Sequence, residues 1–100
     1  MNKNYLIDLG FDLNTIELIK ENNSLPLYEA LIFNEYECIK IISYLRKLGI
    51  TCIKELLIYR IDLFISSYDE VLNLFKNVNQ DIINSINKNY FLVDELILDE

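Results

Sequence analysis

Apolar residues recur every three or four positions along this chain, in segments that polar residues interrupt after two or three turns. The clearest such stripe lies between Asn34 and Gly49 and consists of Cys38, Ile41, Ile42, Leu45 and Leu48. This spacing places the side chains on one face of a helix, whereas a strand would require alternation with a period of two. Two glycines and one proline also leave few residues for tight hairpin turns. The pattern therefore predicts an all-α domain of about six to eight short helices.

Residues that favour helix ends mark the expected limits of these helices. The predicted segments are residues 2–9, 13–21, a short helix that begins near Pro26, 35–47, a helix that ends at Tyr59, 68–78 and 80–88. Gly10 and Gly49 are expected to end helices in the left-handed conformation. The expected amino-terminal caps are Asp12, Asn34, Thr51, Ser67 and Asn79, with Glu37 and Glu70 completing capping boxes after Asn34 and Ser67. The final stretch VDELILDE, residues 93–100, is expected to form a short helix or a frayed acidic end.

One stretch of the sequence occurs twice. YLIDLGFDLNTIELI (residues 5–19) aligns with YLRKLGITCIKELLI (residues 44–58), and Tyr-Leu-x-x-Leu-Gly is identical in both. A fainter third copy appears when four apolar residues after position 80 are laid over four of the second copy: Ile82, Ile86, Leu92 and Val93 over Ile53, Leu57, Leu63 and Phe64. Short helices are unstable alone in water, so each depends on its neighbours. We therefore expect a single domain, residues 1–100, built as stacked repeats (residues 5–38, 39–75 and 76–98) or as a small irregular bundle.

The second copy and the residues after it resemble a known helical repeat. Within residues 44–66 the chain has the turn Leu48-Gly49-Ile50, then the apolar residues Ile53 and Leu57, then Ile61-Asp62-Leu63-Phe64 ahead of Ser66. This order resembles the repeat of the mitochondrial transcription termination factor family, in which a leucine-glycine turn precedes a helix and a short second helix. The resemblance implies a solenoid of stacked repeats and, as in that family, a capacity to bind nucleic acid.

Positive charge is concentrated in one segment of an acidic chain. Residues 40–60 carry five basic residues and one acid, whereas the formal net charge of the whole chain is −7 and its isoelectric point is about 4.5. The flanking segments, residues 1–39 and 61–100, carry two lysines each against seven and eight acids respectively. The basic segment also coincides with the better-preserved copy of the repeated sequence.

We predict an interaction surface on the face of helix 35–47 opposite its apolar stripe, extended along the basic segment. Tyrosine rings alternate there with ammonium groups, a composition that suits either a protein interface or a nucleic-acid strand. The candidate residues are Tyr36, Lys40, Tyr44, Arg46, Lys47, Lys54 and Arg60. Arg46 lies at the edge of the apolar stripe, so the sequence leaves open whether it points outward with the lysines or lies along the core.

The charge pattern supports several functions for this surface. The favoured hypothesis is a non-enzymatic interaction module that binds a protein partner or a second copy of itself. Nucleic-acid binding through residues 40–60 is the first alternative, although the acidic flanks would repel a long phosphate chain. A second alternative is an acidic inhibitor that mimics nucleic acid. The remaining interpretation is purely structural: the tyrosines pack on a neighbouring repeat, while Lys40 and Lys47 pair with acids of the flanks.

The sequence contains no set of residues typical of an enzyme. It has no histidine, so general bases of that type and histidine metal ligands are missing. No glycine-rich phosphate-binding motif occurs, and carboxylates adjacent in sequence, such as Asp69 and Glu70, diverge on a helix. Cys38 and Cys52 are expected to be buried thiols. We therefore predict no catalytic residue, no metal site and no cofactor.

The expected location is the cytoplasm. No apolar run reaches the roughly 18 to 20 residues of a membrane-spanning helix, and MNKNYLIDLG lacks the apolar core of a secretory signal. We accordingly predict no association with membranes. The abundance of asparagine, isoleucine and lysine is typical of AT-rich genomes, which suggests a bacterial or phage origin.

Overall fold

The computed structural model describes residues 4–98, and within that range the chain is helical with no β-strand. The α-helices are α1 (Tyr5–Asp8), α2 (Leu13–Asn22), α3 (Leu25–Phe33), α4 (Glu35–Leu48), α5 (Ile53–Tyr59), α6 (Tyr68–Phe75), α7 (Gln80–Lys88) and α8 (Val93–Leu98). A first 3-10 helix spans Ile61–Phe64 and a second spans Tyr90–Leu92. The predicted all-α fold is confirmed, while the predicted helical residues 2 and 3 and the acidic end at 99–100 lie outside the described residues.

Three of the predicted amino-terminal caps are confirmed. The Asp12 carboxylate accepts hydrogen bonds from the backbone N–H and the hydroxyl of Thr15, at 2.8 and 2.7 Å. The Ser67 hydroxyl accepts from the N–H of Glu70 at 3.2 Å, and the Asn79 side chain accepts from the N–H of Ile82 at 2.9 Å. Each cap residue has the extended backbone that this role requires, so local sequence alone sets the start of α2, α6 and α7.

The predicted capping box at the start of α4 is wrong. Asn34 is the single residue between α3 and α4, and its backbone (φ −96°, ψ 30°) is not extended, so its side chain does not cap α4. Instead its amide donates hydrogen bonds to the carbonyls of Phe64 and Ser66, at 2.8 and 3.1 Å. Glu37 does not close a box either: its carboxylate accepts from the N–H of Tyr68, the first residue of α6, at 3.0 Å. Both side chains therefore join elements that are distant in sequence.

The predicted cap at Thr51 is also wrong. The N–H of Thr51 donates to the side-chain oxygen of Asn87 at 2.8 Å, while the Asn87 amide donates to the carbonyl of Gly49 at 2.8 Å. The side chain of Asn87, in α7, thus bonds the backbone of both Gly49 and Thr51, just after the end of α4. Helix α5 consequently begins at Ile53, later than expected, and Cys52 precedes it with no side-chain cap.

Both leucine-glycine turns end a helix as predicted. Gly10 and Gly49 have φ angles of 102° and 98°, the left-handed region that favours glycine. The N–H of each glycine bonds the carbonyl three residues earlier, and the next N–H bonds the carbonyl five residues earlier. These two bonds define a Schellman motif, which satisfies carbonyls that the helix end leaves unpaired.

The buried side chains form one hydrophobic cluster that extends from Tyr5 to Val93. Helix α4 contributes one face to it and packs against α3, α6 and the first 3-10 helix, while α2 packs on α5. The fully buried side chains include Leu6, Ile19, Leu31, Ile41, Ile42, Leu45, Leu56, Leu57, Phe64, Val71, Ile86 and Val93. This is one compact globule, and its division into repeat units at 5–38, 39–75 and 76–98 stays a prediction.

The two cysteines are buried and unpaired, as predicted. Burial raises the pKa of the Cys38 thiol to about 11, and burial also raises the pKa of the Cys52 thiol. The Cys52 thiol donates to the carbonyl of Ile86 at 3.5 Å. Both thiols therefore remain protonated near neutral pH and serve as packing groups.

Candidate interaction surface

Three of the predicted surface residues, Tyr36, Lys40 and Tyr44, come together on the outer side of α4. The Lys40 ammonium nitrogen lies 4.5 Å from the centre of the Tyr36 ring and 5.1 Å from the centre of the Tyr68 ring. It also lies 3.7 Å from the Glu37 carboxylate. The Tyr44 ring meets the Tyr68 ring edge to face, with centres 6.0 Å apart, and burial raises the pKa of Tyr44.

Cation–π contacts of this kind contribute about 0.5 to 1 kcal/mol each at exposed sites, and a partly exposed ion pair contributes at most a similar amount. Together these contacts restrict where the Lys40 ammonium group can lie. We name this group of five residues the tyrosine–lysine cluster: Tyr36, Glu37, Lys40, Tyr44 and Tyr68.

Arg46 points away from the core and toward the amino-terminal turn. Its guanidinium donates a hydrogen bond to the carbonyl of Leu9 at 3.0 Å and lies 5.4 Å from the centre of the Phe11 ring. Arg46 and Lys54 both line a cavity beside the turn between α4 and α5, so these two predicted residues lie near each other. Lys47 is exposed and forms no ion pair within residues 4–98.

Lys54 also influences Asp12 on the neighbouring turn. Hydrogen bonds from the Thr15 hydroxyl and then from the Thr15 N–H lower the pKa of Asp12, and the positive charge of Lys54 adds a smaller effect in the same direction. Lys54 therefore lies close enough to Asp12, an acid of this same chain, for the two charges to interact.

Arg60 lies elsewhere, in an ion pair that connects the end of α5 to α8. Its guanidinium donates to both carboxylate oxygens of Asp94, at 2.6 and 2.8 Å, and to the carbonyl of Tyr59 at 2.6 Å. These hydrogen bonds raise the pKa of Arg60 and lower the pKa of Asp94. The guanidinium carbon is 4.9 Å from the centre of the Phe91 ring and 5.9 Å from that of Tyr90, which stacks on Tyr59.

Six of the seven predicted residues are therefore distributed over three places: the tyrosine–lysine cluster, the turn beside Arg46 and Lys54, and the ion pair of Arg60. The seventh, Lys47, is exposed and belongs to none of them. The sequence identified Arg60 but not its partners, because Tyr90 and Phe91 of the second 3-10 helix and Asp94 of α8 come thirty or more residues later. Nothing in the local sequence marks that pairing.

Exposed apolar residues on α3 form the feature that the predicted surface did not include. Only Leu31 of this helix is buried, whereas Leu25 and Phe33 are 68% and 85% exposed. They lie at positions i and i+8 on one side of α3, with Glu29 between them at i+4. Tyr36 follows in the first turn of α4 and is 74% exposed. We name Leu25, Phe33 and Tyr36 the α3 stripe.

A signal for this surface was present in the sequence. LPLYEALIF has a single charged residue, so it is apolar on every side of the helix. Helices of this type lie in a core or at an interface, because an apolar outer face is unfavourable in water.

Neither a metal cluster nor a membrane span occurs in the described part of the chain. Residues 4–98 contain no group of three or more histidine, cysteine, aspartate or glutamate side chains arranged to hold a metal ion. Among the same residues, no helix combines the length and the apolar character needed to cross a bilayer.

Comparison with known proteins adds no relative to this picture: no protein-family model matches the chain, and neither the curated proteins nor the solved structures include a significant match.

Proposed function

We propose that this protein is a non-enzymatic interaction module that binds a protein partner, or a second copy of itself, through the α3 stripe. The observation that carries the proposal is the exposure of the large side chains Leu25, Phe33 and Tyr36 on two helices that pack against each other. Burial of an aromatic side chain removes about 150 to 250 Å² from water, at roughly 25 cal/mol per Å² of apolar surface. Phe33 and Tyr36 are thus the side chains with most to gain from a partner.

The tyrosine–lysine cluster supplies the polar edge of the same surface. Tyr36 belongs to both groups, and Lys40 lies against its ring with the ammonium group oriented by Glu37 and Tyr68. An aromatic and aliphatic centre beside a charged edge is the usual anatomy of a protein interface. Tyrosine also recurs among the residues that dominate binding energy.

Affinity capture with matched variants tests the proposal. The immobilised protein is exposed to an extract of cells that produce it, in wild-type form and as the double variant Leu25→Ser with Phe33→Ser. The control, Ile82→Ser with Phe91→Ser, also removes two exposed apolar side chains, but from α7 and the second 3-10 helix. We expect the α3 variant to lose the captured partner at least about tenfold and the control to retain it.

Circular dichroism of both variants should match the wild type, because all four side chains are exposed. Equal capture by all three proteins would contradict the proposal, and so would equal loss in the α3 variant and the control.

Self-association is tested separately by light scattering at low and high protein concentration. If the partner is a second copy, the mass of the wild type rises with concentration and that of the α3 variant does not. If the protein is a monomer at both concentrations, a second copy is excluded as the partner. The capture experiment then tests whether the partner is a different protein.

Nucleic-acid binding remains the alternative that the placement of Arg46 and Lys54 favours, since both line the cavity beside the turn between α4 and α5. It has less support because Lys40 and Arg60 contact acids of this chain. Binding to DNA or RNA should fall steeply between about 50 and 200 mM salt and should be lost in Lys47→Glu with Lys54→Glu. Absence of binding at the lower salt concentration would remove this alternative.

The acidic inhibitor has only the net charge of −7 in its support.

A further inference from the structure

Two adjoining cavities form a groove on the side of the molecule that carries the first 3-10 helix. The larger cavity, about 440 Å³, lies between the ends of α5 and α8 and is lined in part by Leu27, Arg60, Ile61 and Asp94. The smaller, about 220 Å³, is lined in part by Glu70 and Leu74 of α6. Both cavities share Asp62, Leu63 and Ile97 as lining residues, so they lie side by side.

The groove combines an apolar floor with acidic edges. Ile61 and Leu63 are buried, and Leu27, Leu74 and Ile97 are half-buried at its surface. Four charged side chains line it: Arg60, Asp62, Glu70 and Asp94. Arg60 and Asp94 neutralise each other through a two-pronged ion pair. Asp62 and Glu70 are exposed and have no ion pair within residues 4–98, which leaves the groove with negative charge.

We propose that this groove binds a cationic amphipathic segment of a partner protein. Apolar side chains of the segment would cover the floor, and its lysine or arginine side chains would meet Asp62 and Glu70 at the edges. This arrangement is the established mode by which grooves recognise amphipathic segments. The proposal rests on the proposed protein-binding function but uses a surface distinct from the α3 stripe.

Charge argues for a different protein as the source of the segment. A second copy of this chain carries a net charge of −7, so two copies repel each other at long range, whereas a cationic segment is attracted. The same acidic edges disfavour anionic ligands such as phosphate groups or nucleic acid.

Three labelled synthetic peptides of about 14 residues, or four helical turns, serve as probes. The first has leucine at helical spacing with lysine elsewhere, the second replaces lysine with glutamate, and the third keeps lysine but replaces leucine with serine. Fluorescence anisotropy at about 50 mM salt measures binding to the full-length protein. We expect the leucine–lysine peptide to bind and the other two to bind at least about tenfold more weakly. Equal binding of the serine–lysine peptide would overturn the proposal, because the apolar floor would then have no role.

Matched charge reversals locate the site. The groove variant is Asp62→Lys with Glu70→Lys, and the control, Glu21→Lys with Asp69→Lys, changes the net charge equally at exposed residues that line neither cavity. The groove variant should weaken binding of the leucine–lysine peptide at least about tenfold, and the control by less than about threefold. Equal weakening in both variants would show that the attraction is unspecific and would overturn the proposal.

The double variant Leu25→Ser with Phe33→Ser separates this inference from the proposed function. It should bind the leucine–lysine peptide as the wild type does. Loss of peptide binding in this variant would place the peptide on the α3 stripe and overturn the groove proposal. Conversely, if the groove variant abolishes self-association measured by light scattering, the occupant is a second copy, which also contradicts the proposal.

Discussion

The two copies of Tyr-Leu-x-x-Leu-Gly have the same backbone but different surroundings. Residues 5–10 contain the whole of a helix of four residues, whereas residues 44–49 end a helix of fourteen. Both end in the same Schellman motif, and Leu6 and Leu45 are both completely buried. The first tyrosine, Tyr5, is buried and donates its hydroxyl to the carbonyl of Leu31 at 2.6 Å, while Tyr44 is half-buried against Tyr68.

The two turns are also in contact, since Arg46 of the second donates to the carbonyl of Leu9 in the first. The second turn is held in addition by Asn87 of α7. The repeated sequence therefore determines how the helix ends, whereas elements distant in the chain determine what each side chain contributes to stability.

The strongest test of this equivalence is removal of the buried leucines. Leu6→Ala and Leu45→Ala should each lower the free energy of unfolding by about 2 to 5 kcal/mol, because each leaves a cavity in the core. Chemical denaturation measures both values. Leu13→Ala is the control, since Leu13 is 73% exposed and its loss should cost little. A cost below about 1 kcal/mol for Leu6→Ala would show that α1 contributes less to the core than its burial indicates.

The two tyrosines, unlike the two leucines, should differ in what their hydroxyl groups contribute to stability. Tyr5→Phe removes a hydrogen bond to the carbonyl of Leu31, which still accepts from the N–H of Asn34, and should cost about 0.5 to 1.5 kcal/mol. Tyr44→Phe should cost less than about 0.5 kcal/mol, because its hydroxyl has no hydrogen bond within the described residues. The same denaturation experiment compares the two, and equal costs would refute the distinction.

The two glycines should contribute equally to stability. Gly10→Ala and Gly49→Ala should each cost about 1 to 2 kcal/mol, because both put a Cβ on a left-handed residue. An added Cβ at Gly10 would have no atom within 4 Å, and at Gly49 its nearest contact would be Ile83 at 3.7 Å, an ordinary van der Waals distance. Steric conflict therefore adds nothing at either site. A cost at Gly49 several times that at Gly10 would indicate that Asn87 and α7 make the second turn less tolerant.

The smallest expected difference concerns the residues after each turn, Asp12 and Thr51. The pKa of Asp12 is lowered in the folded protein, so its contribution to stability is present above the usual value of 3.8 and is lost as the pH falls through the lowered value. Asp12→Asn should therefore reduce the loss of stability between about pH 5 and pH 2, as measured by denaturation midpoints. Thr51→Ala should leave that pH dependence unchanged, because a threonine hydroxyl does not ionise in this range. A pH profile of Asp12→Asn identical to that of the wild type would contradict this role.

The sequence predicted those features whose physical cause is local. Asp12, Ser67 and Asn79 each cap a helix through an N–H three residues later, and the two glycines end helices within six residues. Asn34 and Thr51 have the same local signals, but the Asn34 amide bonds Phe64 and Ser66, and the Thr51 N–H bonds Asn87, all thirty or more residues away. Local sequence preferences cannot predict that a residue will bond a distant partner rather than cap the helix that follows it.

The same distinction explains the candidate surface. Tyr36, Lys40 and Tyr44 share one helix, so helical spacing was enough to bring them together. Arg60 meets Asp94 only because the fold brings α8, which packs on α6, to the end of α5, and periodicity does not reveal this placement. The exposure of Phe33 was missed for another reason: an apolar helix is normally buried, so composition alone favoured the interior.

The contacts of α1 have a consequence for the order in which the newly made chain can become structured. During synthesis, Tyr5 emerges well before Leu31, and Leu9 before Arg46, although these later residues supply their hydrogen-bond partners. A helix of four residues does not persist by itself in water. Helix α1 must therefore wait for α4 before it gains lasting structure, and Leu6 stays open to solvent or to chaperones during that interval.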